Sequence, residues 1–110
     1  MASGKEYLEF IMDGLSALDG VTYRRMMGEY ILYYRGRIVG GIYDNRLLVK
    51  PVKAAVSRMP APRYEKPYEG AKDMLRVDDV DNSEFLTELF EAMYDELPEP
   101  KKKTKAKKKI

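Results

Sequence analysis

The chain has 110 residues, 45% of them apolar and 35% charged, which suits one folded domain around a single core and leaves no room for two. It contains neither cysteine nor histidine, and this excludes disulfides, thiolate nucleophiles, Cys- or His-based metal sites and every Ser-His or Cys-His arrangement. The net charge of +2 conceals two regions of opposite sign, because seven lysines stand between Lys101 and Lys109 while residues 1–100 carry 13 basic against 18 acidic side chains.

Ser3 and Glu6 have the spacing of a capping box, and Leu8, Ile11, Met12, Leu15 and Leu18 recur at helical period. They predict a helix over 3–18, closed by Asp19-Gly20. Residues 21–50 are rich in Val, Ile and Tyr and are punctuated by Gly28, Arg35-Gly36 and Asp44-Asn45. That punctuation predicts four short antiparallel strands near 21–27, 30–35, 37–43 and 46–50. Pro51 ends the fourth strand, and Ala54, Ala55 and Val56 favour a short helix over 52–59. Pro60, Pro62 and Pro67 mark 60–73 as an irregular, mobile loop.

Met74 to Val77 fit a fifth strand. Asp81 and Glu84 repeat the capping-box spacing ahead of Phe85, Leu86, Leu89, Phe90, Met93 and Leu97, which predicts a last helix over 83–96, ended by Pro98 and Pro100. The expectation is a two-layer α+β domain over 1–98, with an antiparallel sheet of about five strands and helices at its start, middle and end. Residues 99–110 form a lysine-rich tail with no large apolar residue before Ile110 and are expected to be disordered. No apolar run approaches the roughly 20 residues that cross a bilayer, and the N-terminus lacks the basic-then-apolar pattern of a secretory signal, so a cytoplasmic location is expected.

The strands do not alternate apolar with polar. Ile31 and Tyr33 face one way while Tyr30, Leu32 and Tyr34 face the other, and Ile38 and Ile42 oppose Val39 and Tyr43. Both faces therefore read as at least partly covered, by the helices on one side and by a second copy or another protein on the other. The alternative is that tyrosines stand on a solvated face, where a ring with a hydroxyl is tolerated.

No other pattern carries chemistry. Asp78, Asp79 and Asp81 fail the spacing of a calcium loop counted from Asp79, since its glycine position falls on Glu84 and its closing glutamate on Phe90. Gly36, Gly40 and Gly41 belong to no phosphate-cradling motif. The strand Tyr23-Arg24-Arg25-Met26-Met27 mixes basic and apolar residues and presents either a basic patch or solvated arginines beside a core. Lys101, Lys102, Lys103, Lys105, Lys107, Lys108 and Lys109 are suited to weak, sequence-blind contact with nucleic acid by counterion release, or to solubilising the chain. With no catalytic, cofactor or metal set in sight, the chain reads as a non-enzymatic module that needs no cofactor.

Arg25-Met26-Met27-Gly28, followed by Tyr33, Gly36 and Val39, then Asp44-Asn45-Arg46-Leu47-Leu48-Val49-Lys50 and Pro67-Tyr68, resembles the signature of the TfoX N-terminal domain family. The resemblance spans about residues 5–97. It implies a two-layer α+β domain, a tendency to form homodimers, and no catalytic residues. Two-domain members regulate natural competence together with a cyclic-AMP receptor protein, so the resemblance implies a regulatory protein partner of that kind. After Leu97 this sequence carries only the lysine tail where those members have a second, helical domain.

Arg25, Gly28 and Lys50 match the family's recurrent positions. With Tyr30 and Tyr34 they are the candidates for interface or ligand contact, and Gly28 has a backbone reason to be glycine if its strand junction needs a positive φ. The leading reading is a regulatory protein-binding module. Its alternatives are a nonspecific nucleic-acid accessory protein acting through the tail, and a small-molecule sensor binding at the Tyr-rich sheet.

Overall fold

The structure is a computed structural model and describes residues 4–98. Helix α1 (Lys5–Gly14) is followed by strands β1 (Val21–Met26), β2 (Glu29–Tyr34), β3 (Arg37–Tyr43) and β4 (Arg46–Val49). Helix α2 (Lys53–Ser57), strands β5 (Tyr64–Glu65) and β6 (Met74–Arg76), helix α3 (Ser83–Met93) and a 3-10 turn (Tyr94–Glu96) complete it. The six strands form one antiparallel sheet in the order β1-β2-β3-β4-β6-β5. This is the expected two-layer α+β architecture with one more strand.

The four-strand meander follows from its turns. Met27-Gly28, Arg35-Gly36 and Asp44-Asn45 each place two consecutive residues at positive φ (53° and 84°, 54° and 82°, 56° and 56°). Two-residue turns of this mirror-image kind match the right-handed twist of the strands they join. Gly28 does adopt the positive φ its position suggested. Met27, read above as the end of a strand, is instead the first residue of the turn.

Register assigns the faces. Tyr30, Leu32 and Tyr34 of β2 stand opposite Ile42, Gly40 and Arg37 of β3, and Leu47 and Val49 continue the same face on β4. This face meets the helices: Leu8, Ile11 and Leu15 from α1 and Leu86, Leu89, Phe90 and Met93 from α3 pack with it in one buried cluster. Where β2 steps from Leu32 to Tyr33, β3 steps from Gly40 to Ile38, so Val39 is the extra residue of a bulge and is fully buried.

Several local expectations are corrected. Helix α1 stops at Gly14, four residues short of the expected end, and a Cβ on Gly14 would lie 3.1 Å from Leu86 of α3, so this glycine lets the two helices approach. The capping residue Ser3 lies outside the described residues, and Gly4, the N-cap, donates its N–H to Asn45 Oδ1 instead. The cap of α3 is Asn82, whose Oδ1 accepts from the Phe85 N–H, not Asp81. The 60–73 segment is not wholly irregular, because it contributes β5 to the sheet edge.

Candidate interaction surface

The face of the sheet away from the helices carries Thr22, Arg24 and Met26 of β1, Glu29, Ile31 and Tyr33 of β2, Ile38 and Tyr43 of β3, Arg46 and Leu48 of β4, and Met74 and Arg76 of β6. No helix among the described residues packs on it. One half is closed by the chain itself: the Tyr68 ring meets the Tyr43 ring edge-on at 6.3 Å, and Leu48 is fully buried.

Charges fasten that closing segment. Glu65 accepts from Arg46 at 2.6 Å and from Arg76 at 3.3 Å, and it pairs with Arg63 at 3.4 Å. Asp78 binds Arg63 at 3.1 Å and Arg76 at 3.3 Å. The Arg46 hydrogen bond, supported by Arg76, holds the Glu65 carboxyl below its ordinary value near 4.5 despite partial burial. Burial raises the Tyr43 phenol, with Tyr68, Glu29 and Tyr33 adding to the shift.

A lowered carboxylate pKa means that the folded state favours the charged form. The stabilisation is therefore complete above the unfolded-state pKa and disappears as pH falls through the folded-state value. Glu65→Gln is expected to lower stability at neutral pH and to flatten the loss on acidification, read as urea midpoints between about pH 3 and pH 7. An unchanged pH profile would mean that Glu65 does not fasten this segment.

The other half of the face, over β1 and β2, is open. Strand β1 is a sheet edge with five of its six residues exposed. Arg24 and Arg25 form no ion pair with any described residue. Met26 is 50% exposed and Met27, at the hairpin tip, 95% exposed.

The three hairpin turns differ in how their left-handed residues are compensated. Asp44 and Asn45 suit that conformation intrinsically. Arg35 stacks its guanidinium over the Tyr34 and Tyr94 rings, at 5.6 and 5.4 Å from their centroids. Met27 has neither advantage: it is an unbranched apolar side chain at φ 53°, standing almost wholly in solvent. Among the described residues nothing offsets the strain, on the order of 1 kcal/mol.

Of the residues singled out from sequence, the structure gathers only some. Arg25 is exposed on β1 and Gly28 sits in its turn. Tyr30 and Tyr34 are each 5% exposed and belong to the core, where Tyr34 meets Phe90 and Tyr94; they are not surface contacts of the single chain. Lys50 follows β4, three strands away from β1 or about 14 Å across the sheet, so Arg25 and Lys50 do not share a site. Lys101, Lys102, Lys103, Lys105, Lys107, Lys108 and Lys109 lie outside the described residues.

Sequence reasoning missed Met26, Met27 and Ile38 as exposed apolar residues. A methionine directly before the glycine of a two-residue turn was the signal that could have found the tip. A cleft of about 260 Å³ lies at the other edge of the sheet, lined by Met59, Arg76, Val77, Asp78 and Phe85 among others, and not over the tyrosines of β2. No helix among the described residues is long and apolar enough to cross a membrane.

Comparison with known proteins agrees with this architecture. A family model described as the TfoX N-terminal domain matches residues 13–94. An uncharacterized 12.7 kDa protein in the trpE 5' region of Spirochaeta aurantia is 37% identical over 110 residues, a match covering 99% of this chain and 95% of that protein. No solved structure matches.

Proposed function

The chain belongs to the TfoX N-terminal domain family, and on that premise we propose that it is a cytoplasmic, non-enzymatic regulatory module that acts by binding other proteins through the β1–β2 hairpin and the adjoining open sheet face. The observation that carries this reading is Met27. A residue held in an unfavourable backbone conformation and 95% exposed does nothing for the fold, so its side chain is accounted for by a contact outside it. Met26, Ile31, Tyr33 and Ile38 extend the apolar surface behind it.

The partners we assign are a second copy of the chain and a transcription regulator of the cyclic-AMP receptor type, following what the family's two-domain members imply. Methionine suits such a surface because its flexible thioether adapts to differently shaped pockets. Arg24, on the same face, favours an acidic rim around the receiving pocket.

Met27→Asn separates folding from binding. Asparagine tolerates the left-handed conformation, so the variant is expected to gain about 0.5–1 kcal/mol of stability by urea unfolding. It is also expected to weaken self-association in sedimentation equilibrium, or receptor-protein binding in calorimetry, by about tenfold. A variant that is more stable and binds both partners as the parent does would overturn the assignment of the hairpin tip.

A further inference from the structure

The sheet ends in two unlike edges. Strand β5 has only two residues, stands between Pro62 and Pro67, and is fastened by the ion pairs of Glu65 with Arg46 and Arg76. Strand β1 has six residues, contains no proline, and keeps an unbroken register with β2 from Val21↔Tyr34 to Met26↔Glu29. Short strands, prolines and bulges are the usual guards of an exposed edge. Strand β1 has none of these, and its one defence is charge, in Arg24 and Arg25.

The turn at Met27-Gly28 decides which backbone groups of β1 are already bonded. Met26 and Glu29 close a two-residue hairpin and bond to each other, so Met26, Arg24 and Thr22 direct their N–H and C=O groups at β2. The Gly20 carbonyl, accepting from the Arg35 N–H at 2.8 Å, continues that set. Val21, Tyr23 and Arg25 direct theirs outward, where nothing among the described residues bonds to them. Their side chains lie on the helix side, and Tyr23 is 44% exposed with its ring edge-on to Tyr30 at 5.8 Å. Arg24 points to the open side. Neither arginine has an ion pair among the described residues, and β1 contains no acid.

A second β1 is a poor occupant of this edge. Two copies paired antiparallel about Tyr23 would bond all the outward groups, but they would set Arg24 on the diagonal from its own copy with no acid nearby. Slipping the pair one way places Arg24 directly opposite itself, and slipping it the other way shortens the pairing to residues 21–23. A strand with two consecutive acids has the opposite outcome. One carboxylate then faces Arg25 on the helix side and the next faces Arg24 on the open side, each within reach of a charge-assisted hydrogen bond.

We propose that the outer edge of β1 takes up an extended acidic segment of a partner protein as a seventh strand, antiparallel to β1 and added to the six of the sheet. Adjacent Asp or Glu residues of that segment stand opposite Arg25 and Arg24, and an apolar residue stands opposite Tyr23. The backbone of Val21, Tyr23 and Arg25 holds the segment, while the two arginines select it. This rests on the reading of the chain as a protein-binding module and gives its partner a recognisable feature.

The test titrates the full chain into a fluorescein-labelled, end-blocked peptide, Thr-Glu-Glu-Val-Thr-Val, and into its counterpart with Lys-Lys in place of Glu-Glu, followed by anisotropy. The expected result is binding of the Glu-Glu peptide at least about tenfold tighter, with a loss of about fivefold or more in Arg24→Glu and in Arg25→Glu. Tyr23→Pro removes an outward N–H that the folded sheet does not use and leaves every charge in place. Binding lost in Tyr23→Pro and kept in Tyr23→Ala therefore reports strand addition, not attraction to bulk charge. Amide exchange of the parent chain needs no variant: saturating Glu-Glu peptide slows the N–H groups of Val21, Tyr23 and Arg25 and leaves those of Thr22 and Arg24, already bonded to β2, as they were. Equal binding of the two peptides, undiminished binding in a folded Tyr23→Pro, or no slowing at Val21, Tyr23 and Arg25 would each overturn the proposal. Slowing of the same amides by raised concentration of the chain alone, with no effect of peptide, would give the edge to a second copy and overturn it too. Met27 lies outside this strand, so failure of the peptide leaves the hairpin tip to its own test with Met27→Asn.

Discussion

Gly40→Ala is expected to cost about 3 kcal/mol or more, which for a domain of this size is a large share of its stability. A Cβ at this position would be driven into the carbonyl oxygen of Leu48 and would stand 2.7 Å from the Cα of Val49. Both atoms belong to the backbone of β4, the strand hydrogen-bonded to β3, so no side-chain rotation relieves the overlap. Relief requires the two central strands to part, at the bulge that sends Val39 into the core. Gly70→Ala is the matched control: its added Cβ meets nothing within 4 Å, and only the φ of +88° opposes it. That change is expected to cost about 1 kcal/mol. Urea unfolding followed by circular dichroism compares the two directly, and equal costs would mean that the β3–β4 contact is looser than described.

Phe90→Ala is expected to cost about 3–5 kcal/mol, seen as a fall in melting temperature well beyond 10 °C, roughly. Phe90 is fully buried and joins the two layers, with its ring 6.4 Å from that of Tyr34 on β2 while its backbone lies in α3. Tyr34 also contacts Tyr94, which bears the stacked guanidinium groups of Arg35 and Arg37. The cavity would open under the point where the end of α3 is secured to the β2–β3 hairpin. Phe90→Leu retains most of the packing and is expected to cost clearly less. If alanine and leucine destabilise equally, the apolar volume that leucine restores contributes nothing and the loss lies in the ring contacts with Tyr34.

The meander was legible in the sequence because its turns use residues with a conformational reason to be there. Asp44-Asn45 and the glycines at 28 and 36 located three hairpins to within about two residues. Strand β5 was not legible. It has only two residues, Tyr64 and Glu65, in a proline-marked stretch, and it depends on the ion pairs of Glu65 with Arg46 and Arg76 rather than on any apolar period.

The direction of the β2 faces was hidden for a different reason. Tyr30, Leu32 and Tyr34 are as apolar as Ile31 and Tyr33 are, so the sequence marks two faces without saying which one the helices cover. Tyr30 and Tyr34 consequently appeared as contact candidates, although they pack in the core. The hairpin tip was half legible: the glycine identified the turn, while the methionine before it read as the end of a strand. What distinguishes Met27 is the absence of any compensating contact among the described residues, and only the three-dimensional structure shows that.

The most direct test of the docking surface is a two-dimensional amide spectrum of the isotope-labelled full chain, recorded over a concentration series and again with added cyclic-AMP receptor protein. The account predicts shifts concentrated at Arg24 to Gly28, with Ile31, Tyr33 and Ile38 following, in at least one of the two titrations. Shifts confined to the helices, or no shifts in either titration, would contradict it.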